Sequence, residues 1–125
     1  MKLHLNKTDS SLQITECKCI GDRFRIKVGD TFYDQSIILS SQKIEVWEAT
    51  RVSDITEEDF SVLSGLGAEL IILGTGPNLE FPSARITKPA IQQGLGVAVM
   101  DTAAACRTYN ILKADDRNVA AAIIL

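Results

Sequence analysis

Arg23-Phe24-Arg25-Ile26-Lys27-Val28 alternates polar and apolar residues without a break. That is the period of a strand with one face buried and the other in water. Gly29-Asp30 separates this run from Thr31-Phe32-Tyr33, and a two-residue turn of this kind marks a tight hairpin. Ile37-Ile38-Leu39 and Ile44-Glu45-Val46-Trp47 predict two more short strands. The first half therefore reads as an antiparallel meander.

Near residue 53 the pattern changes to alternating helix and strand. Thr56 is an N-cap candidate, with Asp59 in the capping-box position and Ile55 facing Phe60 as a hydrophobic staple. This helix should stop near Gly65. Leu70-Ile71-Ile72-Leu73 is a continuous apolar run, as expected of a strand covered on both faces. Thr87 can cap a short helix that tolerates Pro89 in its first turn and ends at Gly94. Val97-Ala98-Val99-Met100 predicts a strand, and Asp101 or Thr102 caps a helix running to about Lys113. After a turn at residues 115–118, Val119 to about Leu125 reads as a last strand, although Ala120-Ala121-Ala122 is also compatible with helix.

Helix–strand alternation argues for parallel strands joined by crossover helices. The predicted class is α/β: a three-layer single domain over residues 1–125. It has a mixed central sheet with crossover helices plus a small N-terminal antiparallel β layer. A chain of 125 residues, 46% hydrophobic, can bury a core without a metal or disulfide.

Charge removes one class of function. Residues 1–62 carry 8 Lys/Arg against 11 Asp/Glu, and residues 63–125 carry 5 of each. Neither half offers the basic footprint that replaces counterions on nucleic acid, so no nucleic-acid partner is expected. No apolar run reaches the length of a membrane span, and Met1 to Asn6 lacks the apolar stretch of a signal peptide. A cytoplasmic location is the resulting expectation. Three cysteines without framework spacing fit it. Cys17 and Cys19, two apart on one strand face, read as ordinary strand side chains. With His4 as the only histidine, no zinc set forms, and no metal or cofactor is expected.

The candidate chemistry lies after two strands. Gly74-Thr75-Gly76 follows the run 70–73, where glycines either make a plain turn or bring backbone N–H groups to an anion. Asp101-Thr102 occupies the same place after 97–100, either as a simple cap or as part of a ligand site. If the two strands are parallel neighbours, both motifs share their carboxyl edge. Arg107 is expected to open onto the same hollow, or else to form a structural ion pair. Ala104, Ala105, Thr108, Ile111 and Leu112 form the expected inner stripe of that helix. Cys106 lies on the far side, facing solvent or another layer, and reads as an inert packing residue. Tyr109 borders the stripe with its hydroxyl near water. Trp47 is either a core anchor or a partner contact. No catalytic triad or acid–base pair is visible.

Lys2-Leu3-His4-Leu5, Ser36-Ile37-Ile38-Leu39, Trp47 and Glu69 to Gly76 combine with a long segment from Val99 through Asp101, Arg107 and Leu112. Arg117 and Val119-Ala120-Ala121 complete the set. Together they resemble domain-of-unknown-function family 498, over almost the whole chain. The resemblance implies a compact α/β fold with a mixed sheet. It brings no reaction, and its mitochondrial branch acts in assembly of NADH dehydrogenase (complex I). The expected function is a non-enzymatic assembly or interaction domain with a protein partner. The alternative is a small-molecule or redox-related protein that binds an anionic ligand in the crevice of Gly74, Thr75, Gly76, Asp101, Thr102 and Arg107.

Overall fold

The structure, a computed structural model, describes residues 13–21, 23–41 and 43–125. The opening motif with His4 lies outside them.

Three strands, β1 (Ile14–Ile20), β2 (Arg23–Val28) and β3 (Thr31–Tyr33), form a small antiparallel sheet in the order β1-β2-β3. Its inner face carries Ile14, Phe24, Ile26 and Val28 into the core. The expected meander stops there. β4 (Ile37–Leu39) and β5 (Ile44–Val46) leave it and join a second sheet, ordered β5-β4-β8-β6-β7. The reason is non-local: β4 pairs antiparallel with β8 (Val119–Ile123), Ile37 opposite Ile123 and Leu39 opposite Ala121.

β6 (Leu70–Gly74) lies between β8 and β7 (Gly96–Met100) and is parallel to both. The connection β6 to β7 runs one way across the sheet, and β7 to β8 runs back. Two right-handed crossovers of opposite direction put their helices on opposite faces. Accordingly α2 (Ala84–Gln92) buries Ile86 and Ala90 with Ile71 and Leu73, beside α1 (Glu57–Ser64). α3 (Thr102–Ala114) packs on the other face, against Ile72, Ala121 and Ile123. The small sheet covers α3 in turn. Residues 119–123 are a fully buried strand, not helix.

The Thr56 cap forms as expected. The Asp59 N–H donates to the Thr56 hydroxyl at 3.1 Å, and the Thr56 N–H donates to the Asp59 carboxylate at 3.0 Å. Ile55 and Phe60 share one core cluster, and Trp47 is buried in it as well. The second helix differs from expectation. It begins at Ala84 with Ser83 as N-cap, so Pro89 falls inside it. Thr87 cannot cap because its hydroxyl donates back to the Ala84 carbonyl, a turn earlier.

On α3 the buried stripe is Thr102, Ala105, Cys106 and Tyr109, while Ile111 is 63% exposed. A helix enclosed between two sheets buries two flanks, which rotates the stripe from the one expected. Tyr109 becomes a wholly buried side chain, hydroxyl included.

One irregularity redirects β1. Ile14 pairs with Val28, but Glu16 pairs with Lys27, so Thr15 is an extra residue. Ile14 and Cys17 are an odd number of residues apart and would face opposite ways on a regular strand. The bulge turns both inward.

Candidate functional site

The parallel pairing of β6 and β7 sets Gly74 beside Met100, so the two loops after these strands start at one level. Three hydrogen bonds then join them, and a fourth ties them to the end of β8. The Thr75 N–H donates to the Met100 carbonyl at 2.9 Å, and the Thr102 N–H donates to the Gly76 carbonyl at 2.9 Å. The Gly76 N–H donates to the Thr102 hydroxyl at 2.8 Å. That hydroxyl donates onward to the Ile124 carbonyl at 2.6 Å. Thr102 is fully buried and ties together the ends of β6, β8 and α3.

Both glycines are required by this packing. A Cβ on Gly74 would stand 3.0 Å from the Ala105 Cβ and 3.3 Å from the Thr102 Cα. The N-terminal turn of α3 can approach β6 this closely only because position 74 has no side chain. Gly76 has φ +97°, a conformation that costs other residues strain. Asp101 caps α3 by accepting the Ala104 N–H at 2.9 Å.

Thr75, Gly74, Gly76, Asp101 and Thr102 are thus neighbours at one sheet edge. Most of the polar groups that an anion would use are engaged within the protein. Outside the knot lies an open hollow of about 390 Å³, lined by Thr75, Gly76, Asn78 and Glu80 together with Arg23 and Arg51. Arg107 does not line it. Five helical positions separate Arg107 from Thr102, a rotation of about 140°, so Arg107 faces away from the knot and is exposed. The cations at the hollow come from β2 and from the loop before the 3₁₀ turn at Val52–Asp54, which no local motif announces.

The loop after β6 is held from within. The Thr75 hydroxyl donates to the Asn78 carbonyl at 2.7 Å and accepts the Glu80 N–H at 3.3 Å. Beyond this pinned base, Leu79 and Phe81 are 53% and 70% exposed.

A family model described as a protein of unknown function (DUF498/DUF598) matches residues 18–124. The chain belongs to this family. Among relatives of the DUF498/DUF598 chain, NADH dehydrogenase [ubiquinone] 1 alpha subcomplex assembly factor 3 of Bos taurus is 35% identical over 88 residues. The match covers 69% of this chain and 48% of that protein, so the chain spans about half the length of the assembly factor. A 13 kDa major membrane protein of Francisella tularensis subsp. holarctica is 28% identical over 104 residues, 82% of this chain and 83% of that one. A crystal structure of a Bordetella parapertussis protein superposes with a TM-score of 0.78 at 31% identity, covering 90% and 96% of the two chains. Among the described residues of this DUF498/DUF598 member, no helix is long and apolar enough to cross a membrane, and no group of metal-ligating side chains forms.

A second place with chemistry was not legible as such. Cys17 on β1 packs against the core cluster that contains Cys106 of α3, and each thiol shifts the ionisation of the other. The Cys106 thiol, as donor to a Cys17 thiolate, together with the Arg107 charge holds Cys17 down to about 7, against partial burial and Asp101. Cys106 is pushed up by that donation, by burial and by the negative charge of Cys17. The sequence separation of 89 positions hid the pair, and only the bulge at Thr15 aims Cys17 inward.

Proposed function

We propose that this protein works by binding another protein, as an assembly or interaction factor, and not by catalysing a reaction. The observation that carries this reading is the loop after β6. Its base is fixed by the Thr75 hydroxyl, yet it presents Leu79 and Phe81 to solvent. Large apolar side chains on a preorganised loop lose little entropy when a partner covers them. Such residues are typical anchors of an interface. Gly74, Gly76, Asp101 and Thr102 then serve as the frame that positions the loop. The assembly-factor relatives support the same reading.

The test is a pulldown from source cells with the wild type beside Phe81→Ser and Leu79→Ser. Loss of an anchor costs roughly 2 kcal/mol or more, about thirtyfold in affinity. The enriched partner should disappear with either variant while melting is unchanged. Equal enrichment with all three proteins would move the working surface elsewhere.

A second reading has one observation in its favour. Arg23 and Arg51 both line the hollow beside Thr75 and Gly76, so a small anionic ligand could be held there. A ligand at 100 times its Kd stabilises the fold by about 2.7 kcal/mol. A thermal-shift screen of phosphorylated and carboxylate metabolites should then give a hit that Arg51→Gln abolishes and Arg107→Gln leaves intact. A screen without any shift removes this reading.

A further inference from the structure

The described cysteines differ sharply in setting: Cys17 is half-buried, Cys19 exposed and Cys106 buried. Cys19 donates its thiol to the Gly21 carbonyl at 3.2 Å, at the open end of the small sheet. Cys17 instead packs on the core that contains Cys106. The juxtaposition is built, because β1 is clamped to α3 beside it. The Asn110 side chain accepts the Ile14 N–H at 3.0 Å and donates to the Ile14 carbonyl. Cys106 lies one helical turn before Asn110, and Cys17 lies three residues after Ile14 with the bulge between them. The same clamp therefore holds Ile14 on Asn110 and brings Cys17 to the stretch of α3 that carries Cys106.

We propose that Cys17 is a peroxide-reactive thiol and Cys106 its resolving partner, the two closing into a disulfide between β1 and α3. Cys17 first loses its proton to solvent. Its sulfur attacks one oxygen of hydrogen peroxide; the S–O bond forms, the O–O bond breaks, and hydroxide leaves and is protonated to water. Cys17 is now a sulfenic acid. The Cys106 sulfur attacks it, the S–S bond forms, the S–O bond breaks, and the departing hydroxide takes the Cys106 proton as a second water. Two thiols and one peroxide give one disulfide and two waters. Oxidation also readies the second step. The sulfenic acid is neutral, so the negative charge that opposed ionisation of Cys106 is gone, while Arg107 remains.

Three neighbours set the reactivity of Cys17. The Cys106 thiol and the Arg107 charge favour the thiolate, and Asp101 opposes it. Across β2 the partner position is Ile26, which is apolar. The thiolate is the nucleophile, so the rate rises with pH and levels off above about 7. An ordinary thiol with a pKa near 8.5 is only about 3% ionised at pH 7. Allowing for the lower intrinsic nucleophilicity of a more acidic thiol, Cys17 should react about threefold faster than such a thiol.

The experiment treats the reduced full chain with a small excess of hydrogen peroxide at pH 7, then blocks remaining thiols and maps unreduced peptides. The expected product is a Cys17–Cys106 linked peptide with Cys19 still alkylated. In Cys106→Ala, oxidation should stop at a Cys17 sulfenic acid that dimedone captures, and the alkylation midpoint of Cys17 should move up toward the ordinary thiol range. A linkage through Cys19, a bond between two chains, or Cys17 consumed no faster than Cys19 would each overturn the proposal.

Discussion

Replacing Thr102 by valine should destabilise the protein by about 3 kcal/mol. Valine matches threonine in shape, so the packing around position 102 survives. What is lost is a hydroxyl that accepts from the Gly76 N–H and donates to the Ile124 carbonyl. Both of those residues are buried. Each buried group left unpaired costs about 1–3 kcal/mol, and the added methyl returns only about 0.8 kcal/mol. For a chain of this length the deficit corresponds to a drop in Tm of roughly 10 °C. Thr102→Ser keeps the hydroxyl and should lose only about 1 kcal/mol with the methyl group. Thermal unfolding of the two variants decides the matter. If valine and serine melt together, the hydroxyl does not hold the three chain segments.

Tyr109→Ala should cost about 3–5 kcal/mol. Tyr109 is fully buried on a helix with a sheet on each side. Its ring belongs to the cluster in which Ile14, Phe24 and Ile26 of the small sheet meet Ile72 and Ile123 of the large one. Truncation leaves a cavity that neither sheet can close without moving the other. Denaturant unfolding should show a lower midpoint with an unchanged slope if both sheets unfold together. An unfolding free energy within about 0.5 kcal/mol of the wild type, from midpoint and slope, would mean that the layers close over the gap and that Tyr109 is not a keystone.

The legible parts of the fold are those whose causes are local. The box between Thr56 and Asp59, the alternation from Arg23 to Val28, and the apolar run before Gly74 each contain their own explanation within a few residues. The start of α2 does not, because Ser83 makes no side-chain cap and Thr87 offers a false one. The true stripe on α3, Thr102 to Tyr109, depends on a sheet that ends at Tyr33, far upstream in the sequence. The bulge at Thr15 carries no glycine or proline to announce it. At the candidate site, sequence order brought the two loops to one edge, since consecutive crossovers make parallel neighbours. It could not show that Ile124 arrives to complete the bonds of Thr102, nor that Arg23 and Arg51, and not Arg107, reach the hollow.

The strand order also dictates a timetable. β8 is last among the described strands in sequence, yet it sits between β4 and β6. On a ribosome, which builds the chain from its amino end, β4 and β5 emerge early and find no sheet to join. Their hairpin must wait with an unpaired edge until residues 119–123 have been made, and such edges invite pairing with other chains. β1 to β3 can zip up by themselves, but the helix they are meant to cover is also made late. The last strand is therefore the element that converts a string of local pieces into one body, and the time before it appears is when a nascent chain of this fold is most open to aggregation or to a chaperone.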